Sequence, residues 1–99
     1  MKVVYPDLQG KKVLITGATR GIGRALAQAL AEQGAYVVFN YREGKEGPAK
    51  ELENELKEMG ASQARALPFD ITQTEQMKSA LETFTKEEGA IEGLINNAG

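Results

Sequence analysis

The residues with the clearest capacity for chemistry form a glycine-rich segment near the amino terminus, residues 16–23. The segment reads Thr-Gly-Ala-Thr-Arg-Gly-Ile-Gly, follows the apolar run 13–15, and opens a helical pattern that extends to Gln33. A helix amino terminus carries unpaired N–H groups and a partial positive charge. Glycines also let a phosphate approach the backbone without meeting a Cβ atom. The segment therefore predicts an anion-binding turn, with a tight turn that binds no ligand as the alternative.

The spacing of the three glycines narrows the choice of ligand. Gly17, Gly21 and Gly23 follow the pattern Gly-x-x-x-Gly-x-Gly. This differs from the Gly-x-Gly-x-x-Gly of the common dinucleotide fingerprint, and the Gly-Lys-Ser/Thr ending of a P-loop is missing. The wide first gap and the missing lysine argue against an NTPase.

Composition excludes several other kinds of site. The chain has 99 residues and contains neither cysteine nor histidine, so disulfides, thiolate metal sites and a histidine base are ruled out. Its net charge of −2 gives no reason to expect nucleic acid or an anionic membrane as a partner. No apolar run approaches the ~20 residues that span a bilayer. We expect one soluble domain with a cytoplasmic location.

The elements that must position the glycine turn alternate along the chain. Apolar, β-rich runs predict strands over residues 12–16, 36–41, 64–67 and 94–97. Helical patterns follow the first three of these runs, over residues 22–33, from Pro48 to Gly60, and from near Thr74. The order β-α-β-α-β-α-β predicts an α/β fold with a parallel sheet and helices on both of its faces. The last strand would form an edge of that sheet.

Local signals define the helices further. Pro48 suits the first position of the second helix, and Thr72 with Glu75 has the spacing of a capping box at the start of the third. Each helix has a predicted apolar face: Ile22, Leu26, Ala29 and Leu30; Ala49, Leu52, Leu56 and Met59; Met77, Ala80, Leu81 and Phe84.

Three separated motifs resemble one known family. Residues 16–23, Asp70, and the Asn-Asn-Ala-Gly of residues 96–99 are similar in order and spacing to the short-chain dehydrogenase/reductase family, above all to its 3-oxoacyl-[acyl-carrier-protein] reductases. The resemblance covers residues 10–99. It implies a Rossmann-type, doubly wound three-layer sheet, with residues 1–99 forming the NAD(P)-binding amino-terminal half of a longer enzyme.

The resemblance also implies a cofactor-binding role for individual residues. In the glycine turn, Gly17, Gly21 and Gly23 would line the pyrophosphate and Ile22 would lie beside the nicotinamide. Thr19 and Arg20 of the same turn would also bind the cofactor. At the adenosine end the binding residues are Asp70 and Ile71, which hold the adenine, and Asn97, Ala98 and Gly99, which close over its ribose. The hydroxyl of Thr16 would tie the first strand to the asparagine segment. Taken alone, Asp70 could be only a turn residue and the asparagines only a strand end.

Charge at the end of the second strand bears on the choice of cofactor. NAD sites of this kind place an acid there to bind the ribose 2′-OH. Residues 39–41 read Phe-Asn-Tyr, and no acid precedes Glu43. Arg20 and Arg42 stand at the two places where the family binds a 2′-phosphate, and guanidinium pairs well with phosphate. We predict NADP(H) over NAD(H), with two surface arginines as the alternative.

No residue of the chain is a candidate catalyst. The family transfers hydride with a serine and a Tyr-x-x-x-Lys pair that follow the asparagine segment. Tyr41 and Lys45 have the same spacing but precede that segment, and a loop containing Gly44 separates them, so they do not share a helix face. Ser62 and Ser79 lie in no matching context.

The predicted function is therefore that of the parent enzyme. We expect an NADPH-dependent oxidoreductase that reduces a carbonyl to a hydroxyl, with a 3-oxoacyl carrier protein as substrate, a role in fatty acid biosynthesis, and a homotetrameric assembly. A sugar, a steroid or another small alcohol is an alternative substrate. A nucleotide-binding or scaffold module without turnover is the alternative of another class.

Overall fold

The computed structural model describes residues 8–19 and 21–97, in which strands and helices alternate. The strands are β1 (Lys12–Thr16), β2 (Tyr36–Tyr41), β3 (Gln63–Pro68) and β4 (Gly93–Asn96). The helices between them are α1 (Gly21–Glu32), α2 (Glu46–Glu58) and α3 (Thr74–Glu88). All strand pairs are parallel, in the order β3-β2-β1-β4. The predicted α/β fold with a Rossmann-type parallel sheet is confirmed.

The central strand β1 sets the register of the functional edge. Ile15 pairs with Phe39 of β2 and with Ile95 of β4, and Thr16 pairs with Asn96. On the far side of β2, Tyr41 pairs with Pro68 of β3. Because all four strands run the same way, their carboxyl ends meet at one edge of the sheet. The residues that follow the strands are thereby brought together.

Side-chain alternation along the strands builds a core on each face of the sheet. Ile15, Val37 and Phe39 face α1 and α2, and pack with Leu52 and Leu56 of α2. The alternate residues Leu14, Tyr36 and Val38 face α3 and pack with Leu67 and Phe84. A strand buried on both faces needs apolar residues at every position, which explains the continuous apolar runs of β1 and β2.

The face that α1 buries differs from the predicted one. Ile22 is 75% exposed, Ala29 is exposed, and Leu26 is half-buried, whereas Gly23, Ala27, Leu30 and Ala31 are buried. The helix packs so closely on the sheet that mostly small residues fit beneath it. A prediction that follows the large apolar residues of α1 therefore gives a helix face that is rotated from the face that the helix buries.

The first turns of the other two helices differ from the sequence prediction in the position of Pro48 and in the cap of α3. Helix α2 begins at Glu46, so Pro48 occupies its third position rather than its first. Proline is tolerated there because N–H groups of the first turn lack intrahelical partners. Helix α3 starts at Thr74 as predicted, but its N-cap is Gln73 and no capping box forms. The hydroxyl of Thr72 donates instead to Asp70 Oδ1, at 2.7 Å.

Helices α2 and α3 bury the faces that their patterns predicted. Ala49, Leu52 and Leu56 are buried in α2, and Phe84 is buried in α3, with Met77, Ala80 and Leu81 packed beside it. Among the described residues the predicted edge position of the last strand is confirmed, since β4 pairs there with β1 alone and its Leu94 is 66% exposed. In the described part of the chain, no helix is long and apolar enough to cross a membrane.

A polar cluster ties α3 to the sheet. The phenol of Tyr36 donates to Glu88 Oε1 at 3.0 Å, and its ring meets that of Phe84 edge to face at 5.8 Å between centroids. The guanidinium of Arg65 lies 5.5 Å from the centroid of the Phe84 ring. Burial and the adjacent Glu88 carboxylate raise the pKa of Tyr36 to about 12, because both disfavour the phenolate.

This raised pKa predicts a late step in a spectrophotometric titration of the tyrosines. The neutral phenol stabilises the fold, so its contribution is complete below pH ~10 and is lost as the pH rises through about 12. We expect Tyr36→Phe to abolish an ionisation near pH 12 in absorbance at 295 nm. Tyr41→Phe is the control and should retain it. A late step that persists in Tyr36→Phe would contradict the assignment.

Candidate functional site

A cleft of about 650 Å³ opens at the carboxyl edge of the sheet. Its walls come from the turn after β1, the end of β2, and the segments that follow β2, β3 and β4. The lining residues are Gly17, Thr19, Asn40, Tyr41, Arg42, Lys45, Pro48, Asp70, Ile71, Thr72 and Asn97. Open α/β sheets bind their ligands at this edge, so the cleft is the candidate site.

The glycine turn depends on its glycines in two different ways. Gly17 and Gly21 have φ values of 70° and 63°, in the left-handed region that residues with a Cβ rarely adopt. Gly23 is needed for space instead: a Cβ there would lie 1.9 Å from the Gly17 carbonyl oxygen and 2.5 Å from Asn97 Nδ2. The first turn of α1 therefore packs directly against the end of β1.

The peptide groups of Gly17 are held from both neighbouring strands. Its N–H donates to Asn40 Oδ1 at 3.3 Å, from β2. Its carbonyl accepts from Asn97 Nδ2 at 3.2 Å, from the residue after β4. The expected tie through Thr16 is also present: its hydroxyl donates to Asn96 Oδ1 at 3.1 Å and accepts from the Asn97 N–H at 3.0 Å.

Asp70 forms a compact turn on the opposite wall of the cleft. Its Oδ1 accepts from both the N–H and the hydroxyl of Thr72, at 2.9 and 2.7 Å. Its own N–H donates to Gln76 Oε1 of α3 at 3.1 Å. The two Thr72 donors, with a smaller contribution from the charge of Arg42, hold the pKa of this exposed carboxyl below its usual value. Asp70 is therefore ionised at neutral pH.

Two cations line the cleft in the segment between β2 and α2, and the neighbouring Glu43 and Glu46 do not line it. Arg42 follows β2 directly, and Lys45 immediately precedes α2; both line the cleft. Tyr41 is the last residue of β2, so Tyr41 and Lys45 are separated by a turn and do not share a helix face. This geometry agrees with rejecting them as a Tyr-x-x-x-Lys pair.

The predicted site residues fall into three groups. Six of them line the cleft: Gly17, Thr19, Arg42, Asp70, Ile71 and Asn97. Gly21, Ile22 and Gly23 lie in the first turn of α1 beside it and are not lining residues. Arg20, Ala98 and Gly99 lie outside the described residues. Contact of each of these residues with a cofactor stays a prediction.

Five lining residues were not predicted as site residues: Asn40, Tyr41, Lys45, Pro48 and Thr72. The sequence does indicate a special role for Asn40. An amide side chain inside a strand of otherwise apolar and aromatic residues needs hydrogen-bond partners that the strand itself cannot supply. Thr72 has a local signal as well, because a threonine two residues after an aspartate suits a side-chain-stabilised turn. Lys45 has no local signal, since its position depends on where α2 begins.

Comparison with known proteins identifies the family. A family model described as short chain dehydrogenase matches residues 11–99. The chain belongs to the short-chain dehydrogenase family. The recognition made from the three motifs is therefore confirmed.

Several curated reductases and dehydrogenases are similar to this member of the short-chain dehydrogenase family. The 3-oxoacyl-[acyl-carrier-protein] reductase FabG of Vibrio harveyi is 42% identical over 93 residues, which are 94% of this chain and 36% of the relative. The 3beta-hydroxysteroid dehydrogenase 1 of Eggerthella lenta is 34% identical over 97% of this chain and 36% of the relative. The chain thus spans little more than a third of the length of these relatives.

A solved structure has the same fold. The NADH-dependent reductase A1-R′, crystallised in complex with NAD, matches 95% of this chain with a TM-score of 0.83 and 38% identity, and the match covers 38% of that protein. Family membership and this nicotinamide-bound neighbour support a nicotinamide dinucleotide as the ligand of this short-chain dehydrogenase chain.

The contact at Gly23 predicts a strong steric effect. We expect Gly23→Ala to lower the free energy of unfolding by on the order of 1–3 kcal/mol, because its Cβ would overlap the Gly17 carbonyl. Gly47→Ala is the matched control: its Cβ would meet nothing within 4 Å, and alanine favours a helix over glycine by ~0.5–1 kcal/mol. Urea denaturation measures both. Equal stability of the two variants would refute the close-packing account.

The hydrogen bonds at Asp70 predict a pH dependence. A carboxyl whose pKa is lowered on folding stabilises its turn at neutral pH, and that contribution is lost as the pH falls through and below roughly 4. We expect Thr72→Val to raise the pKa of Asp70 part of the way to its usual value, because the Thr72 N–H remains. An NMR pH titration of the Asp70 carboxyl measures this. Thr85→Val, in α3, should leave it unchanged, and an unchanged pKa in Thr72→Val would be the contrary result.

Proposed function

We propose that this chain is the cofactor-binding part of an NADPH-dependent carbonyl reductase that acts on 3-oxoacyl groups carried by an acyl-carrier protein. The observation that carries the choice of cofactor is the charge of the cleft at the end of β2. There Arg42 and Lys45 line the cleft, while Asn40 and Tyr41 take the place where a ribose-binding acid would stand.

A 2′-phosphate and a 2′-hydroxyl require opposite surroundings at that position. The phosphate of NADPH needs cations, and Arg42 can pair with it through two parallel hydrogen bonds. The hydroxyl of NADH is usually bound by a carboxylate. Asp70 is the one carboxylate among the described lining residues, and it is engaged by Thr72. NADH is the second candidate, favoured by the similarity to the NADH-dependent reductase A1-R′.

The residues of the chain would bind and orient the cofactor. Asp70 and Ile71 would hold the adenine, and the N–H groups of the glycine turn would take the pyrophosphate. When bound, NADPH supplies a hydride from C4 of its nicotinamide to a carbonyl carbon. The proton donor would lie outside residues 1–99, in a serine and Tyr-x-x-x-Lys segment that follows the asparagine segment.

Substrate, assembly and location extend the same proposal. Similarity to the Vibrio harveyi 3-oxoacyl-[acyl-carrier-protein] reductase supports the acyl substrate and a role in fatty acid biosynthesis. A steroid is the second candidate, supported by the Eggerthella lenta 3beta-hydroxysteroid dehydrogenase. We propose a cytoplasmic homotetramer for the complete protein. Reductase assays of the complete gene product with 3-oxoacyl thioesters and with 3-oxosteroids distinguish the two substrates, and no turnover of either favours a binding module.

Calorimetric titration of the complete gene product with NADPH and NADH tests the cofactor. We expect tighter binding of NADPH, and in Arg42→Ala a roughly ten-fold or greater loss of NADPH affinity, since a charge-assisted hydrogen bond is removed. NADH affinity should change less than about two-fold, because NADH has no 2′-phosphate for Arg42 to pair with.

The matched control removes a positive charge outside the cleft. Lys50 lies on α2, where it pairs with Glu53 at 3.7 Å, and Lys50→Ala should leave both affinities unchanged. Equal wild-type affinities for the two cofactors, or unchanged NADPH affinity in Arg42→Ala, would refute the role of Arg42. Binding of neither dinucleotide would refute the proposed function itself.

A further inference from the structure

Asn40 is a polar residue in an unlikely place. It lies in β2 after the fully buried Val37, Val38 and Phe39, and only 8% of its own surface is exposed. Asparagine is a poor strand former, and burying an amide costs free energy unless its polar atoms are hydrogen-bonded. A buried asparagine in such a strand therefore needs a reason beyond packing.

The side chain of Asn40 joins two segments that no strand pair connects directly. Its Oδ1 accepts from the Gly17 N–H at 3.3 Å, in the turn after β1. Its Nδ2 donates to the carbonyl of Phe69 at 3.2 Å, in the segment after β3. Phe69 is 1% exposed and directly precedes Asp70, so its carbonyl belongs to the peptide bond that leads into the Asp70 turn. One amide thus connects the two opposite walls of the cleft.

The surrounding bonds make this link rigid. The Phe69 N–H donates to the Tyr41 carbonyl at 3.1 Å, which fixes the segment after β3 against β2. On the other side, Asn97 Nδ2 donates to the Gly17 carbonyl. Gly17 has no side chain of its own and a left-handed φ, so these contacts determine the orientation of its peptide groups.

We propose that Asn40 is a positioning residue of the cleft, which sets the separation between the glycine turn and the Asp70 turn before the dinucleotide binds. The inference rests on the proposed function, in which the glycine turn takes the pyrophosphate and Asp70 takes the adenine. A ligand that contacts both turns binds more tightly when their separation is fixed, because the free-energy cost of ordering the two turns is met before binding. A ligand that reaches only the adenine wall does not.

The test compares a ligand that spans both walls with one that does not. Calorimetric titrations of the complete gene product use NADPH, or NADH if it binds more tightly, and adenosine, which carries no phosphate; amide hydrogen exchange is followed at Gly17. In Asn40→Leu, which keeps the side-chain volume and removes both polar atoms, we expect the dinucleotide to bind roughly ten-fold more weakly. Adenosine affinity should stay within about two-fold, and exchange of the Gly17 amide proton should become faster.

Asn40→Ala is the second variant, in case leucine cannot be accommodated, and it should show the same selective loss. Asn54→Leu, at an exposed position of α2, is the matched control and should change none of these quantities. Equal losses for the dinucleotide and adenosine in a folded variant, or unchanged exchange at Gly17, would overturn the positioning role. A wild-type chain that binds neither dinucleotide would instead overturn the proposed function, and the role of Asn40 in it.

Discussion

The close contact between the start of α1 and the end of β1 is the constraint on which the rest of the site depends. Gly23 leaves no room for a Cβ against the Gly17 carbonyl, and that carbonyl is held by Asn97. This close approach places the first turn of α1 beside the cleft at the sheet edge. The small residues beneath α1, and the exposure of Ile22, follow from the same approach.

Hydrogen bonds between neighbouring strands turn this contact into a complete site. Asn40 from β2 and Asn97 after β4 hold the two ends of the Gly17 residue, and both are adjacent to it because β1 lies between those strands. Asn40 also reaches the segment after β3, where Asp70 begins the far wall. The order of the strands thus forms the cleft, and hydrogen bonds from the side-chain amides connect its walls.

Much of the fold follows from patterns that are local in sequence. The apolar runs of β1 and β2 and the helical face of α2 agree with the structure because burial imposes the same period wherever those segments pack. The predicted apolar face of α1 and the predicted capping box of α3 do not agree with the structure. Because α1 packs closely against the sheet, the residues that it buries are mostly small. The Thr72 hydroxyl, which was expected to cap α3, donates to Asp70 instead.

The sequence by itself determined the alternation of strands and helices and the glycine turn, because these rest on residue type and spacing. The resemblance of its three motifs to one family implied the six predicted residues that line the cleft. Only the tertiary structure decided that Asn40, Lys45 and Thr72 also belong to the cleft. Their places depend on which strands are neighbours and on where α2 begins. The contacts of Asn40 join residues far apart in the chain, and no local period encodes them.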